Sequence, residues 1–225
     1  MKLLTVGNTK TVKGEAKGYR TFILHLAPSD LSGYNVCPMA SAGCRSACLN
    51  TAGRGRFDNT QNARIRKTRM FFENRDAFMK LLAKDVIAAI RNAKRNNLIP
   101  VFRLNGTSDL RWENVPLGGF ANVMEAFPDY QFYDYTAIPN RRNLPKNYHV
   151  TFSKKEDNDK VVSNLVENTM TNIAVVFKTI PATYLGRPVV SGDETDLRFL
   201  DPQGIIVALK AKGDAKKDTS GFVVE

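Results

Sequence analysis

Seven short apolar segments set the terms on which this chain can fold: TFILHLAPS (21–29), IPVFRLN (99–105), YQFYDYTAI (130–138), YHVTFS (148–153), NIAVVFK (172–178), RPVVS (187–191) and GIIVALK (204–210). They are rich in β-branched or aromatic residues, and turn-forming residues punctuate the chain between them, so each reads as a strand. Helical patterns fall between several of them. In 75–97, Phe78, Leu81, Leu82, Val86, Ala89, Ile90 and Ala93 recur at helical spacing, and Asn96 and Asn97 end the run. Asp58 followed by Gln61 resembles a capping box and predicts a helix reaching about Phe72. Shorter helices are expected within 116–127 and 158–168.

Strands alternating with helices imply βα units and a parallel sheet. The connections 139–147 and 179–187 are too short or too rich in proline to hold a full helix. A complete (β/α) barrel needs ~250 residues, and this chain has 225. The fold class expected is therefore α/β, a small or incomplete TIM-like (β/α) barrel of parallel strands with some helices missing. An open doubly wound sheet is the alternative. No G-x-G-x-x-G follows the first strand, which weighs against a dinucleotide-binding version. With 43% hydrophobic residues the chain can bury one sizeable core. The organisation expected is an N-terminal arm or hairpin (1–20), one domain (21–212) and a loosely held polar tail (213–225).

Every cysteine lies in one stretch, NVCPMASAGCRSACLN (35–50), spaced C-x6-C-x3-C as Cys37, Cys44 and Cys48. The N-terminal apolar run is too short for a signal peptide, and no segment has the length of a membrane span. A cytoplasmic protein is the expectation. There an odd, tight group of thiols points to metal binding or catalysis rather than disulfides. If GCRSACL forms a helical turn, Cys44 and Cys48 share a face at i and i+4. Small residues between the thiols let backbone amides approach sulfur.

Three readings follow from these residues. Zinc in a structural site wants four closed ligands, and His25, His149 or a carboxylate is the candidate fourth. A [4Fe–4S] cluster held by three thiolates, with one iron open, is the preferred reading. Three free thiols with no ligand are the plain alternative. In a barrel, the loop after the first strand lies at the C-terminal mouth, where active sites of that fold are built. Polar residues at other strand ends would ring the same mouth: Asn105, Asp109, Lys178 and Asp193 are the expected cavity lining, with His25.

The charge balance is basic, 33 Lys and Arg against 22 Asp and Glu, net +11. Such an excess suits nucleic acid or an anionic small molecule, and equally a solvated basic surface. The densest basic stretch carries Arg54, Arg56, Arg64, Arg66, Lys67 and Arg69 beside Phe71 and Phe72. These side chains are the candidate nucleic-acid contacts. The alternative is a solvated helix face over two core phenylalanines.

Three cysteines after the first strand of a small barrel resemble radical S-adenosylmethionine enzymes in architecture. The usual spacing there is C-x3-C-x2-C, which this chain does not have, and RLNGTSDLRWE (103–113) stands where that family often places Gly-Gly-Glu. The resemblance implies S-adenosylmethionine on an open iron. LHLAP (24–28), CPMASAGCRSACL (37–49), AGRGR (52–56) and SGDETDLRFLDP (191–202) resemble a phage-encoded family called gene product 88 over most of the chain. That resemblance implies a viral protein working in a bacterial cytoplasm and supplies no reaction, so whether the protein is an enzyme is open at this stage.

Overall fold

A computed structural model describes residues 1–6 and 9–225, the side chains of residues 9 and 10 excepted. The strands are β1 (Leu4–Thr5), β2 (Tyr19–Leu24), β3 (Ile99–Arg103), β4 (Gln131–Thr136), β5 (Tyr148–Ser153), β6 (Ile173–Phe177), β7 (Thr183–Tyr184), β8 (Arg187–Ser191), β9 (Ile206–Lys210) and β10 (Val223–Val224). The helices are α1 (Thr9–Glu15), α2 (Ala42–Ser46), α3 (Asp58–Glu73), α4 (Arg75–Arg95), α5 (Val123–Ala126) and α6 (Asp159–Asn168).

All seven predicted strands form, and they share one mostly parallel sheet in the order β1-β2-β3-β4-β5-β6-β9-β8-β7. Antiparallel partners cap both edges, β1 on β2 and β7 on β8. The sheet is open: among the described residues β1 and β7 are not paired with each other. The expected parallel βα order is thus present, but barrel closure is not. Closure needs a tilted and staggered set of strands carried all the way round. Here the connections from β4 to β5 and from β8 to β9 hold no α-helix.

The pleat sends alternate side chains to opposite faces. Phe22, Leu24, Phe102, Phe132 and Tyr148 are buried on one face, together with Trp112 and with Phe71, Phe78, Met79, Leu82 and Val86 from α3 and α4. Phe102 lies between Phe22 and Phe132, with ring centroids 5.9 and 5.1 Å away. Each fully buried side chain of this size stabilises the fold by about 1.5–3 kcal/mol relative to exposure. A second group, Phe152, Ile173, Val175, Phe177 and Ile206, packs with Val162 of α6. On the opposite face Val101 and Tyr133 meet Leu197 and Phe199 from the β8–β9 crossover.

Helix α4 starts where Asn74 caps the Ala77 amide with its side chain, and Asn96 ends it as the sequence predicts. Helix α3 forms as expected, but not through the predicted cap. Phe57 stands at its N-cap with no side-chain cap bond, and Gln61 instead donates to the carbonyls of Asn50 and Gly55. Of the predicted arm, residues 7 and 8 lie outside the described residues; the rest supplies β1, α1 and the start of β2. The tail is not loose. Residues 213–217 form a helical turn and β10 pairs with β6 at Val176 and Phe177, beyond the point where β5 stops pairing with it.

Candidate functional site

Parallel strands point their carboxyl ends the same way, so the loops that follow them gather at one edge of the sheet. The loop after β2 carries all three cysteines. Three neighbours hold it down. Thr107, after β3, donates its hydroxyl to the Leu26 carbonyl at 2.6 Å, and the Asp109 amide bonds the Val36 carbonyl at 2.8 Å. After β5, Glu156 accepts from the Ser41 hydroxyl at 2.8 Å and the Gly43 amide at 2.7 Å. Beside it the buried Lys155 ammonium reaches the Met39 carbonyl at 2.6 Å. From the tail, Ser220 stands against Gly43, where an added Cβ would collide with its hydroxyl.

The three thiols are each partly buried and unbonded to one another. The expected i, i+4 helical face is only half formed. Cys44 sits in α2, but the helix caps at Ala47 and Cys48 begins the next turn with extended backbone. The thiols still feel one another electrostatically. Burial pushes Cys37 up to about 11, and a charge on Cys48 adds to the rise. Burial likewise lifts Cys44 to about 12, with charges on Cys48 and Cys37 adding to it. Cys48 is raised by burial too. Backbone amides approach two of the sulfurs, Ser29 N at 3.3 Å from Cys37 Sγ and Asn50 N at 3.5 Å from Cys48 Sγ. Cations stand near two of them: Arg64 favours a thiolate at Cys48, and Lys155 favours one at Cys44.

Arg64 is the unusual member. Its side chain is buried, 8% exposed for the residue as a whole. It donates to the Asn50 side-chain oxygen, its Nε has no partner, and it makes no ion pair with a carboxylate among the described residues. A buried guanidinium normally comes paired. His25 is next in line. It directly follows β2, and an added Cβ on Gly106 would lie 2.9 Å from its ring. Burial, reinforced by Arg64, Arg103 and Lys67, holds this imidazole neutral, with its pKa lowered to about 3.

The other expected lining residues divide. Asn105 is buried and consumed internally: its oxygen accepts from Ser108, Leu110 and the Trp112 indole, and its amide donates to Leu110. Asp109 lies near Cys37, where it accepts from Thr136 and the Ala137 amide, both at 2.8 Å, and burial raises its pKa. Lys178 is placed apart on the surface, paired with Glu225 at 2.9 Å. Asp193 accepts from the Lys210 amide and Lys212, both at 3.0 Å. His149 lies within β5, partly buried, with Nε2 unpartnered.

The basic stretch is split by the helix it forms. Arg54, Arg56, Arg66 and Arg69 are exposed, whereas Arg64 and Lys67 turn inward. Lys67 donates to the Leu3 carbonyl at 2.8 Å, and burial lowers its pKa to about 8. Sequence reasoning missed Lys155 and Glu156. The strand-end rule that singled out other residues runs directly past them, since β5 ends at Ser153.

Among the described residues, no three His, Cys, Asp or Glu side chains are arranged to hold a single metal ion, and no helix is long and apolar enough to cross a membrane. What the fold and loop define is an open parallel α/β protein with a clasped three-thiol loop at the carboxyl edge of its sheet. The chain belongs to the gene product 88 family, whose model matches residues 2–225. No curated protein and no solved structure matches it.

Proposed function

We propose that Cys37, Cys44 and Cys48 are the protein ligands of an iron–sulfur cluster with one iron left open. The observation that carries this reading is Arg64, a buried cation with no carboxylate partner, beside Cys48. An anionic thiolate cluster supplies the missing counter-charge. The donor chemistry fits: three thiols within electrostatic reach of one another, two of them approached by amides and two flanked by cations.

Such a cluster would supply electron transfer or an open Lewis-acid iron. The chain's own residues hold the loop in place through Glu156 and Lys155 and keep His25 neutral. Asn105 and Asp109, which stand where a Gly-Gly-Glu would meet S-adenosylmethionine, are already engaged in hydrogen bonds within the protein. That cofactor is not part of the proposal. The test is anaerobic purification with iron and sulfide analysis and electron paramagnetic resonance. About four irons and four sulfides per chain are expected, falling in each Cys→Ala variant. Stoichiometric zinc without iron would reject the reading.

A second reading has one observation in its favour. Phe57 is 56% exposed and flanks the exposed Arg54 and Arg56 beside the thiol loop. Cations next to an open aromatic ring suit single-stranded nucleic acid. Salt-dependent binding that survives R54A/R56A would exclude this surface.

A further inference from the structure

Away from the thiols, α4 and the turn at 116–120 enclose a groove of about 950 Å³. Its apolar lining includes Met79, Ile87, Leu117, Phe120 and Phe127. Ile87 is 42% and Phe120 53% exposed. Phe120 is held in place rather than left on a loose loop. Leu117 and Phe120 exchange backbone hydrogen bonds of 3.1 and 3.0 Å around a turn that Gly118 enters at φ +57°. A backbone fixed in advance suits an anchor position, because less ordering remains for binding to impose.

The rim is charged. Lys80, Lys84 and Arg91 border the groove against one acid, Asp76. None of the three cations forms an ion pair with another described residue. They follow α4 at i, i+4 and i+11, a span of about 16 Å, or about three turns of helix.

We propose that this groove docks an amphipathic helix of a partner protein, apolar on one face and acidic along its flanks. The apolar floor calls for aliphatic or aromatic anchors, and the unpaired cations call for carboxylates at helical spacing. A second copy of this chain fits poorly. Two-fold pairing would set the same cations against one another, and each chain carries a net charge of +11. Nucleic acid would meet the cations but leave Met79, Ile87 and Leu117 without use.

The probe is a labelled peptide of about 18 residues, with leucines at i, i+3, i+4 and i+7 and glutamates on the flanks. Its counterpart carries lysines on the flanks. Fluorescence anisotropy should show saturable binding of the acidic peptide only. Affinity should fall about tenfold or more in F120D, in I87D and in K84E, and fall again as salt rises. Far-ultraviolet circular dichroism should show these surface variants folded. Equal binding of the lysine peptide, undiminished binding to F120D, or no binding of the acidic peptide would overturn the proposal. So would self-association that F120D abolishes, or a preference for vesicles of anionic lipid over the peptide.

Discussion

The chemistry of this protein turns on side chains whose ordinary ionisation is disturbed by where they are buried. Burial lifts Cys37 to about 11 and Cys44 to about 12, so few thiolates exist near neutral pH without a bound metal. In metal-free protein, alkylation by iodoacetamide at pH 8 should be at least about tenfold slower folded than in denaturant. Mass spectrometry of timed samples measures this. His25 has the opposite displacement, from 6.5 down to about 3. Below 6.5 the unfolded chain binds a proton that the folded protein refuses. Stability is therefore whole above that pH and is lost progressively as pH falls toward 3. Denaturant midpoints across this window should flatten in H25Q. Replacing Arg64 with Met should separate two states. Metal-free protein should gain about 1 kcal/mol or more from losing an unpaired buried charge, whereas anaerobically purified protein should retain less iron. The thiols and His25 could be found from sequence by residue type. Arg64 could not be told from Arg66, because only the packing of α3 turns one inward.

At the scale of elements, strands and long helices were legible because their hydrophobic periods are distinct. The apolar spacing in α4 and the whole length of β5 and β8 follow from pattern alone. What the pattern concealed was contact between distant segments. The polar tail reads as loose because residues 211–221 lack an apolar rhythm. Yet residues 213–217 form a turn and β10 joins the sheet. Gly106 shows the same limit. An added Cβ there would lie 2.5 Å from Ile23 Cγ2 and 2.7 Å from the Leu24 carbonyl, with a backbone atom among the obstacles. Gly106→Ala should therefore cost about 1–3 kcal/mol, read from chemical denaturation.

For the molecule as a whole, the open sheet explains where stability concentrates. Rings from β2, β3 and β4 stack across neighbouring strands beneath α3 and α4. Phe102→Ala should cost about 3–5 kcal/mol, a large part of the stability of an ordinary domain. A shift in the urea midpoint would measure it. Closure failed as an expectation because it depends on how strands tilt and stagger, which alternation of strand and helix does not encode. The crossover bearing Leu197 and Phe199 covers the second face in place of helices.

The clasp made by residues 213–224 also sets an order in time. A ribosome releases the thiol loop well before it makes the segment that closes over it. Until then the side of the loop at Gly43, Thr51 and Ala52 stays uncovered on the growing chain, so its other contacts, with Glu156 and Lys155, can form before the tail arrives.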